Sequence, residues 1–403
     1  MFPNVSQKKN IYLDYAAATP VDPLVKKVME PFLSDGFGNP SSLYKKGREA
    51  RMAVEDARKK IADIIGARPG EIIFTAGGTE SCNLAIFGVS KNLRTDKNYH
   101  PHIITSAIEH HAVLNPAKAL KEEGYGLDIL DVNRDGEVNI NDIEKMIRPE
   151  TSLVSIMYAN NEIGTIEPIA EIGKLLKRIN TERERSGLTR ISFHTDACQA
   201  AGFLDIDVNR LSVDLMSVNG SKIYGPKQTG FLFVRNGINL KPIIYGGGQE
   251  RDLRSGTENV AGIVGLAKAL ELSQAIIEPE SNRIRRLVDF LISKLLKVPG
   301  VTLNGPSRNR LPNNINVTIK GVEGEALMLY LDSYGVEVST GSACATGSSD
   351  ASHVLLAIGR SQTAAKSSIR LSLGRDTSKA ELDYVIKILI PVINQLRKTS
   401  NQL

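Results

Sequence analysis

A lysine, an acid and a run of small residues follow three apolar segments of this 403-residue sequence. Lys222 ends the polar segment 219–222, which comes directly after one apolar run, and Asp196 comes directly after another. The residues 76–79, Ala-Gly-Gly-Thr, follow a third run and lead into a predicted helix, whose first N–H groups are free to bind an anion. The sequence thus offers an amine, a carboxylate and an anion site.

One cofactor requires these three groups together. Pyridoxal phosphate (PLP) needs a lysine for its Schiff base, an anion site for its phosphate and a carboxylate that keeps its pyridine nitrogen protonated. Lys222 and Asp196 are the candidates for the lysine and the carboxylate. Each feature alone has a simpler interpretation, since most lysines are exposed surface residues and Gly77 and Gly78 suit an ordinary tight turn.

The elements that position these residues follow from hydrophobic periodicity. Helical spacing of apolar residues is clear over 44–65, and long amphipathic helices are predicted over 260–298, with a break at Pro279, and over 378–399. Short runs rich in β-branched residues predict buried strands at 71–75, 102–106, 152–157, 191–195, 214–218 and 230–234.

This alternation predicts an α/β fold in two domains. Residues 16–262 are expected to form a large domain with a mixed, mostly parallel sheet flanked by helices. Residues 1–15 and 263–403 are expected to form a smaller α+β domain. Ligands of open α/β sheets bind beyond the carboxyl ends of the strands, which is where the polar residues lie.

Nine motifs, in order, make the sequence resemble the cysteine desulfurases of the NifS/IscS group over about residues 11 to 390. The resemblance implies the PLP fold type I architecture of class V aminotransferases and a homodimer with active sites at the subunit interface. The motifs are Tyr12-Leu13-Asp14-Tyr15-Ala16-Ala17, Phe37-Gly38-Asn39-Pro40-Ser41-Ser42, Gly78-Thr79-Glu80-Ser81, Glu109-His110, Asn160-Asn161-Glu162-Ile163-Gly164, Lys222-Ile223-Tyr224-Gly225-Pro226-Lys227, Arg254-Ser255-Gly256-Thr257, Gly341-Ser342-Ala343-Cys344 and Ser368-Ile369-Arg370.

The resemblance also implies a role for individual residues. Lys222 is the Schiff-base lysine, Asp196 pairs with the pyridine nitrogen, and His110 stacks on the ring and takes part in catalysis. Arg370 grips the substrate carboxylate, for which a guanidinium offers a two-pronged match. The remaining assignments are Gln199 on the ring hydroxyl, Gly78 and Thr79 on the phosphate with Thr257 of the neighbouring subunit, Asn161 on cofactor and substrate, and Asn39 on the substrate.

The sequence departs from the family pattern directly before Lys222. The family usually has Ser-x-His-Lys there, with serine and histidine bonding the phosphate, whereas this chain has Asn219-Gly220-Ser221-Lys222. Asn219 and Ser221 still offer an amide and a hydroxyl as donors. They are therefore expected to bind the phosphate with a different donor set.

Cys344 lies in a stretch of small residues, 339–349, which predicts a mobile loop. Such a loop suits a sulfur carrier, although composition alone fits an ordinary turn equally well. By resemblance, Cys344 attacks the sulfur of L-cysteine and becomes a persulfide, while L-alanine is released. Cys82 and Cys198 are expected to be small packing residues.

The sequence is also compatible with two other functions. A selenocysteine lyase or aminotransferase of the same fold would share Lys222 and Asp196 without needing Cys344. A degenerate, non-catalytic homologue is suggested only by the missing histidine.

Composition narrows the partners and the compartment. Fifty basic and 45 acidic residues give a net charge of +5 without a basic block, so nucleic acid is not an expected partner. No apolar stretch reaches the roughly 18 residues of a membrane span, and neither a signal peptide nor a disulfide framework is evident. We expect a cytoplasmic enzyme that passes sulfur to acceptor proteins, such as an iron–sulfur scaffold or a tRNA-thiolation enzyme.

The segment 131–142 matches a calcium-binding EF-hand loop except for aspartate at its last position, Asp142. An EF-hand needs a helix entering the loop, whereas 127–130 has the composition of a strand. No metal site is therefore expected.

Overall fold

The computed structural model describes residues 9–93, 100–340 and 351–400. Its strands are β1 Ile11–Tyr12, β2 Ile72–Thr75, β3 His102–Ser106, β4 Gly126–Leu130, β5 Thr151–Ser155, β6 Ser192–Asp196, β7 Leu215–Asn219, β8 Gly230–Val234, β9 Val301–Leu303, β10 Asn314–Ile319, β11 Val336–Glu337 and β12 Ser368–Ser372. Its helices are α1 Pro23–Met29, α2 Lys45–Ile65, α3 Gly78–Leu93, α4 His111–Glu122, α5 Ile140–Met146, α6 Ile169–Arg185, α7 Val208–Leu211, α8 Val260–Ala275, α9 Ile277–Leu295, α10 Gly324–Ser333, α11 His353–Ala357, α12 Gln362–Lys366 and α13 Lys379–Ser400.

A seven-stranded sheet has the order β2-β8-β7-β6-β5-β3-β4. Only β8 runs against its neighbours, since it pairs antiparallel with both β2 and β7 while the other pairs are parallel. All six predicted strand runs belong to this sheet, and the prediction of a mixed, mostly parallel sheet is confirmed.

Helices cover both faces of the sheet because successive strand residues point to opposite sides. Phe74, Ile104, Val154 and Met216 pack with α2, α6 and α8 on one face. Their sequence neighbours Ile73, Ile103, Leu153 and Leu215 pack with α3 and α4 on the other. A sheet buried on both faces needs the nearly continuous apolar runs that the sequence shows.

A second apolar core surrounds the three-stranded antiparallel sheet β12-β10-β9, against which α9, α10 and α13 pack. The amino-terminal strand β1 pairs in parallel with β11 and contributes Ile11 to this core. The domain bounds 16–262, and 1–15 with 263–403, stay a prediction.

The predicted break of the helix 260–298 at Pro279 is wrong, since the helix is interrupted at Ile276 instead. The helices α8 and α9 meet at Ile276 with a bend of 71°. Pro279 lies in the first turn of α9, where the missing N–H removes no helical hydrogen bond.

The strand β4 leads directly into the segment with the EF-hand spacing, as the sequence predicted. There the Asn133 Oδ1 accepts the N–H groups of Asp135 and Glu137 and so closes a polar turn. Within the described ranges, no three His, Cys, Asp or Glu side chains are grouped as metal ligands would be.

Among the described residues, no single helix has the length and apolar composition of a membrane span. Only α8 and α9 taken together, as a bent pair, pass that test.

Candidate active site

The anion-binding turn, which we define as residues 76–80, connects β2 to α3 at the carboxyl edge of the large sheet. Gly77 has φ 146°, which L side chains rarely adopt. A Cβ on Gly78 would lie 2.6 Å from the Sγ of Cys198, so a side chain at this position would collide with the Cys198 side chain. Glycine is therefore required for the backbone to lie this close to the sheet.

A cavity of about 630 Å³ opens in front of this turn. Thr79 is exposed at its rim, next to the first, unpaired N–H groups of α3. The lining residues are Ala17, Ala18, Ala76, Gly77, Gly78, Thr79, Glu80, Asn83, Asn219, Ser221, Lys227, Gln228 and Ile243.

Asn219 and Ser221 also line the cavity. The Asn219 Oδ1 accepts both the N–H and the hydroxyl of Ser221, each at 3.1 Å. Because Oδ1 is used in this way, the Nδ2 group is the part of Asn219 left to donate to a ligand. A Cβ on Gly78 would lie 3.6 Å from that nitrogen, which places the amide beside the anion-binding turn.

Lys222 lies in a 3₁₀ turn directly after β7, and its Nζ donates to the carbonyl oxygens of Ala16 and Ala17, at 2.9 Å and 2.5 Å. The Gln199 Nε2 donates to the same Ala16 oxygen at 2.9 Å. The predicted lysine and glutamine, 23 positions apart in the sequence, thus meet at one backbone carbonyl.

Asp196 ends β6, the strand beside β7, and is 7% exposed. Its Oδ1 accepts the N–H of Cys198 at 2.9 Å, which fixes the carboxylate at the edge of the sheet. The structure therefore brings Asp196 and Lys222 to the ends of neighbouring strands.

His110 precedes α4, and its Nδ1 accepts the Ala112 N–H at 3.0 Å. Burial lowers the pKa of His110, while the charge of Asp196 raises it and that of Lys222 lowers it. The ring is thus within electrostatic range of both residues. A neutral ring that accepts at Nδ1 carries its proton on Nε2.

His194 was not identified from the sequence. Its ring bridges the sheet, with Nδ1 2.8 Å from the Ser155 Oγ and Nε2 2.9 Å from the Ser217 Oγ. Burial lowers its pKa to about 4, so the ring is neutral. His194 and Asp196 share one face of β6, since they are two residues apart. The sequence feature that could have indicated His194 is a histidine inside a predicted buried strand, two residues before Asp196.

Two buried glutamates lie behind the site. The Glu109 Oε1 accepts the Ser106 hydroxyl at 2.7 Å and the Met157 N–H at 2.8 Å, and burial raises its pKa to about 8. Glu162 accepts the Ser352 hydroxyl at 2.5 Å, and burial raises its pKa to about 7. The Glu109–Met157 and Glu162–Ser352 bonds join segments far apart in sequence, and so they hold the loops around the site together.

Arg370 is 3% exposed and donates to the Asp14 carboxylate at 2.6 Å and to the Asn161 carbonyl at 3.2 Å. Its Nε has no hydrogen-bond partner within the described ranges. The structure therefore joins the two predicted substrate residues through the Asn161 backbone. The Asp14 carboxylate occupies part of the same guanidinium that a substrate carboxylate would bind, and nothing in the sequence indicated that Asp14 pairs with Arg370.

Two predicted site residues are not brought into this group. Thr257 is exposed on the loop between β8 and α8 and does not line the cavity. Asn39 is also exposed, and its Oδ1 accepts the Ser41 N–H at 2.9 Å. Cys344 lies outside the described residues.

The other two cysteines are free and buried. Burial raises the pKa of both the Cys82 and the Cys198 thiols, which makes them poor nucleophiles. Their positions suit the packing role expected of them.

The fold and the site define a class. Residues 11–385 match the aminotransferase class V family, and the chain belongs to that family. Within it, the chain is 49% identical over 394 residues to a protein named cysteine desulfurase IscS from Dictyoglomus turgidum, covering 98% of this chain and 97% of that one.

Solved structures agree with this assignment. A structure titled NifS-like protein superposes with a TM-score of 0.88 at 35% identity, covering 96% of this chain and all of the other. One titled SspA in complex with cysteine gives a TM-score of 0.77 at 38% identity, covering 91% and 99%. The family and the fold predicted from the sequence motifs are confirmed.

Proposed function

We propose that this chain is a PLP-dependent cysteine desulfurase, which converts L-cysteine to L-alanine and leaves the sulfur as a persulfide on Cys344. The observation that carries the proposal is that Lys222 and Asp196 lie at the carboxyl ends of neighbouring strands, beside a glycine turn. The relative that is 49% identical and named cysteine desulfurase supports it. The solved relative titled with cysteine as its ligand supports the same substrate.

The residues present fit PLP. Gly77 and Gly78 allow a phosphate to approach the start of α3, and the cavity of about 630 Å³ is large enough for a small cofactor. Thr79, Ser221 and the Asn219 amide add side-chain donors to the lining of this cavity. When bound, PLP supplies an electron sink that makes the amino acid Cα acidic.

We assign the chemistry to this chain's own groups as follows. Lys222 would hold the cofactor, and its free amine would take the proton from the substrate Cα. The Asp196 carboxylate keeps the pyridine nitrogen protonated, and Gln199 donates to the ring hydroxyl. His110, whose pKa is lowered by burial, would contact the ring.

Arg370 holds the substrate carboxylate, with Asn161 and Asn39 beside it. The Arg370 Nε supports this role, because it is a buried donor without a partner in the described part of the chain. A buried N–H without an acceptor is costly, so a substrate carboxylate that accepts a hydrogen bond from Nε would be bound more favourably.

Cys344 accepts the sulfur. Its thiolate attacks the substrate sulfur, an S–S bond forms, the substrate Cβ–S bond breaks, and Cβ takes up a proton. The products are alanine and a Cys344 persulfide. Since the thiols of Cys82 and Cys198 are buried with raised pKa, neither competes for this role.

A homodimer would complete the site with Thr257 of the neighbouring subunit. Thr257 is exposed. Five large apolar side chains within residues 33–52, the part of the chain that contains Asn39, are more than half exposed, which is typical of a surface that a second copy covers. They are Leu33, Phe37, Leu43, Tyr44 and Met52. We further propose a cytoplasmic location and transfer of the persulfide sulfur to an iron–sulfur scaffold or a tRNA-thiolation enzyme.

The test is a spectrum followed by a product assay. The purified protein should show the yellow absorbance of lysine-bound PLP and form alanine and sulfide from L-cysteine with a reductant. Cys344→Ser should keep the spectrum and lose sulfide release, whereas Lys222→Ala should lose both. Wild-type protein that has the spectrum but forms no alanine would exclude the desulfurase and favour another enzyme of this fold.

A further inference from the structure

The loop between β8 and α8 contains an unusual run of backbone conformations. We define its residues 248–256 as the edge loop. Glu250, Arg251 and Asp252 have φ of 47°, 59° and 63°, so three consecutive non-glycine residues occupy the left-handed region. L side chains rarely adopt this conformation, and it persists only where surrounding contacts enforce it.

One such contact is a buried ion pair between the edge loop and α2. The Glu250 carboxylate receives two bonds from Arg58, at 2.8 Å and 2.7 Å, and both side chains are at most 5% exposed. Glu250 also accepts the N–H of Phe74 at 2.8 Å. A two-pronged pair of this kind fixes distance and orientation together.

These contacts cover the outer edge of the large sheet. The strand β2 is the outermost strand on its side, so its outward N–H and C=O groups have no strand to pair with. Glu250 satisfies the outward N–H of Phe74, while Arg58 and Arg251 donate to the outward C=O of Ile72.

The same arrangement repeats two residues further along, in the anion-binding turn. The Glu80 carboxylate accepts the N–H of Ala76 at 3.0 Å, and Arg254 of the edge loop donates to that carboxylate at 2.9 Å. Ala76 and Glu80 line the cavity, whereas Arg58 and Glu250 do not. One loop thus links the sheet edge to the wall of the cavity.

We propose that Arg58 and Glu250 are positioning residues for the anion-binding turn, acting through the edge loop and Arg254. This rests on the proposed function, since PLP is the anion concerned. By holding the edge loop in its strained conformation, the ion pair places Arg254 on Glu80 before the ligand binds. A turn ordered in advance binds its ligand more tightly than one ordered on binding.

The test compares Glu250→Gln with Asp214→Asn as a matched control. Asp214 is also a buried carboxylate that pairs with an arginine, Arg190, and accepts a strand N–H, that of Phe193. It precedes β7 and so lies at the amino end of that strand, away from the cavity. Both variants remove one buried negative charge.

The measurements are the PLP dissociation constant, by absorbance titration of protein stripped of cofactor, and the midpoint of urea unfolding. We expect Glu250→Gln to weaken PLP binding at least about tenfold, and Asp214→Asn to lower the unfolding midpoint with less than about a twofold change in PLP binding. Equal PLP affinity in the wild type and Glu250→Gln would overturn the inference, because the ion pair would then serve stability alone.

A second variant covers the case in which Glu250→Gln does not fold. Arg254→Lys leaves the Arg58–Glu250 pair intact but removes the Nε donor to Glu80, and we expect PLP binding several-fold weaker than in the wild type. Unchanged PLP affinity in this variant would also overturn the inference. Wild-type protein that takes up no PLP is a separate outcome, which refutes the proposed function and this inference with it.

Discussion

The packing of Gly78 on Cys198 permits a double-mutant test of how the anion-binding turn is built. A Cβ at position 78 would lie 2.6 Å from the Cys198 Sγ, whereas its next neighbours, the Asn219 Cβ and Nδ2, are at 3.4 Å and 3.6 Å. The clash thus comes from a single atom. Replacing Cys198 by alanine removes that atom and leaves only ordinary contacts.

The magnitudes follow from this geometry. Gly78→Ala adds an overpacking cost of about 1–3 kcal/mol, against a gain of at most about 1 kcal/mol for alanine over glycine in a helix. In the Cys198→Ala protein the clash is absent, so only the stabilisation from alanine in a helix remains. Gly78→Ala should therefore destabilise the wild type but stabilise the Cys198→Ala protein, with a coupling energy of about 1–3 kcal/mol between the two changes.

The assay is urea unfolding of the four proteins at one fixed PLP concentration, because bound ligand itself adds stability. Cys198→Ala alone should cost only about 1 kcal/mol, the value expected for the loss of one buried atom, and should retain activity. If Gly78→Ala changes the free energy of unfolding equally in both backgrounds, to within about 0.5 kcal/mol, then the Cys198 sulfur is not what excludes a side chain at position 78.

Three further predictions concern buried ionisable side chains. Burial raises the pKa of Glu167 from 4.5 to about 8, so the free energy of unfolding should fall as pH rises between these values, by at most about 5 kcal/mol. Urea unfolding measured across this pH range should show that Glu167→Gln removes this loss. Burial lowers the pKa of His194 from 6.5 to about 4, so native stability should fall as pH drops through this range, and His194→Gln should flatten that slope; an unchanged slope would contradict the assignment. Arg370→Lys should raise KM for cysteine about 10–100-fold, and more than Asp14→Asn does, since only the first removes the guanidinium; equal effects would assign Arg370 to the ion pair alone.

The strand ends and their polar residues were predictable from local sequence. Lys222 and Asp196 each follow an apolar run, and in a mostly parallel sheet such positions meet at one edge. The family motifs then indicated roles that spacing alone left open.

The contacts that hold the site in place were not predictable, because they join distant positions. Arg58 and Glu250 are 192 residues apart, and Asp14 and Arg370 are 356 apart. No local pattern selects one pairing among the many possible between charged residues. A partial signal exists for Arg58, which lies on the buried face of α2, where a charged side chain requires a partner. The position of the α8–α9 break was missed because Pro279 is tolerated in the first turn of a helix.

In the proposed reaction, sulfur from L-cysteine passes to Cys344. The most direct measurement is a reaction with L-cysteine in the absence of reductant, with alanine quantified and the persulfide located by peptide mass spectrometry. We predict one alanine per active site, an added sulfur atom on the peptide containing Cys344, and none on those containing Cys82 or Cys198. Sulfur on either of the other cysteines, or alanine formation by Cys344→Ser at the wild-type rate, would contradict the account.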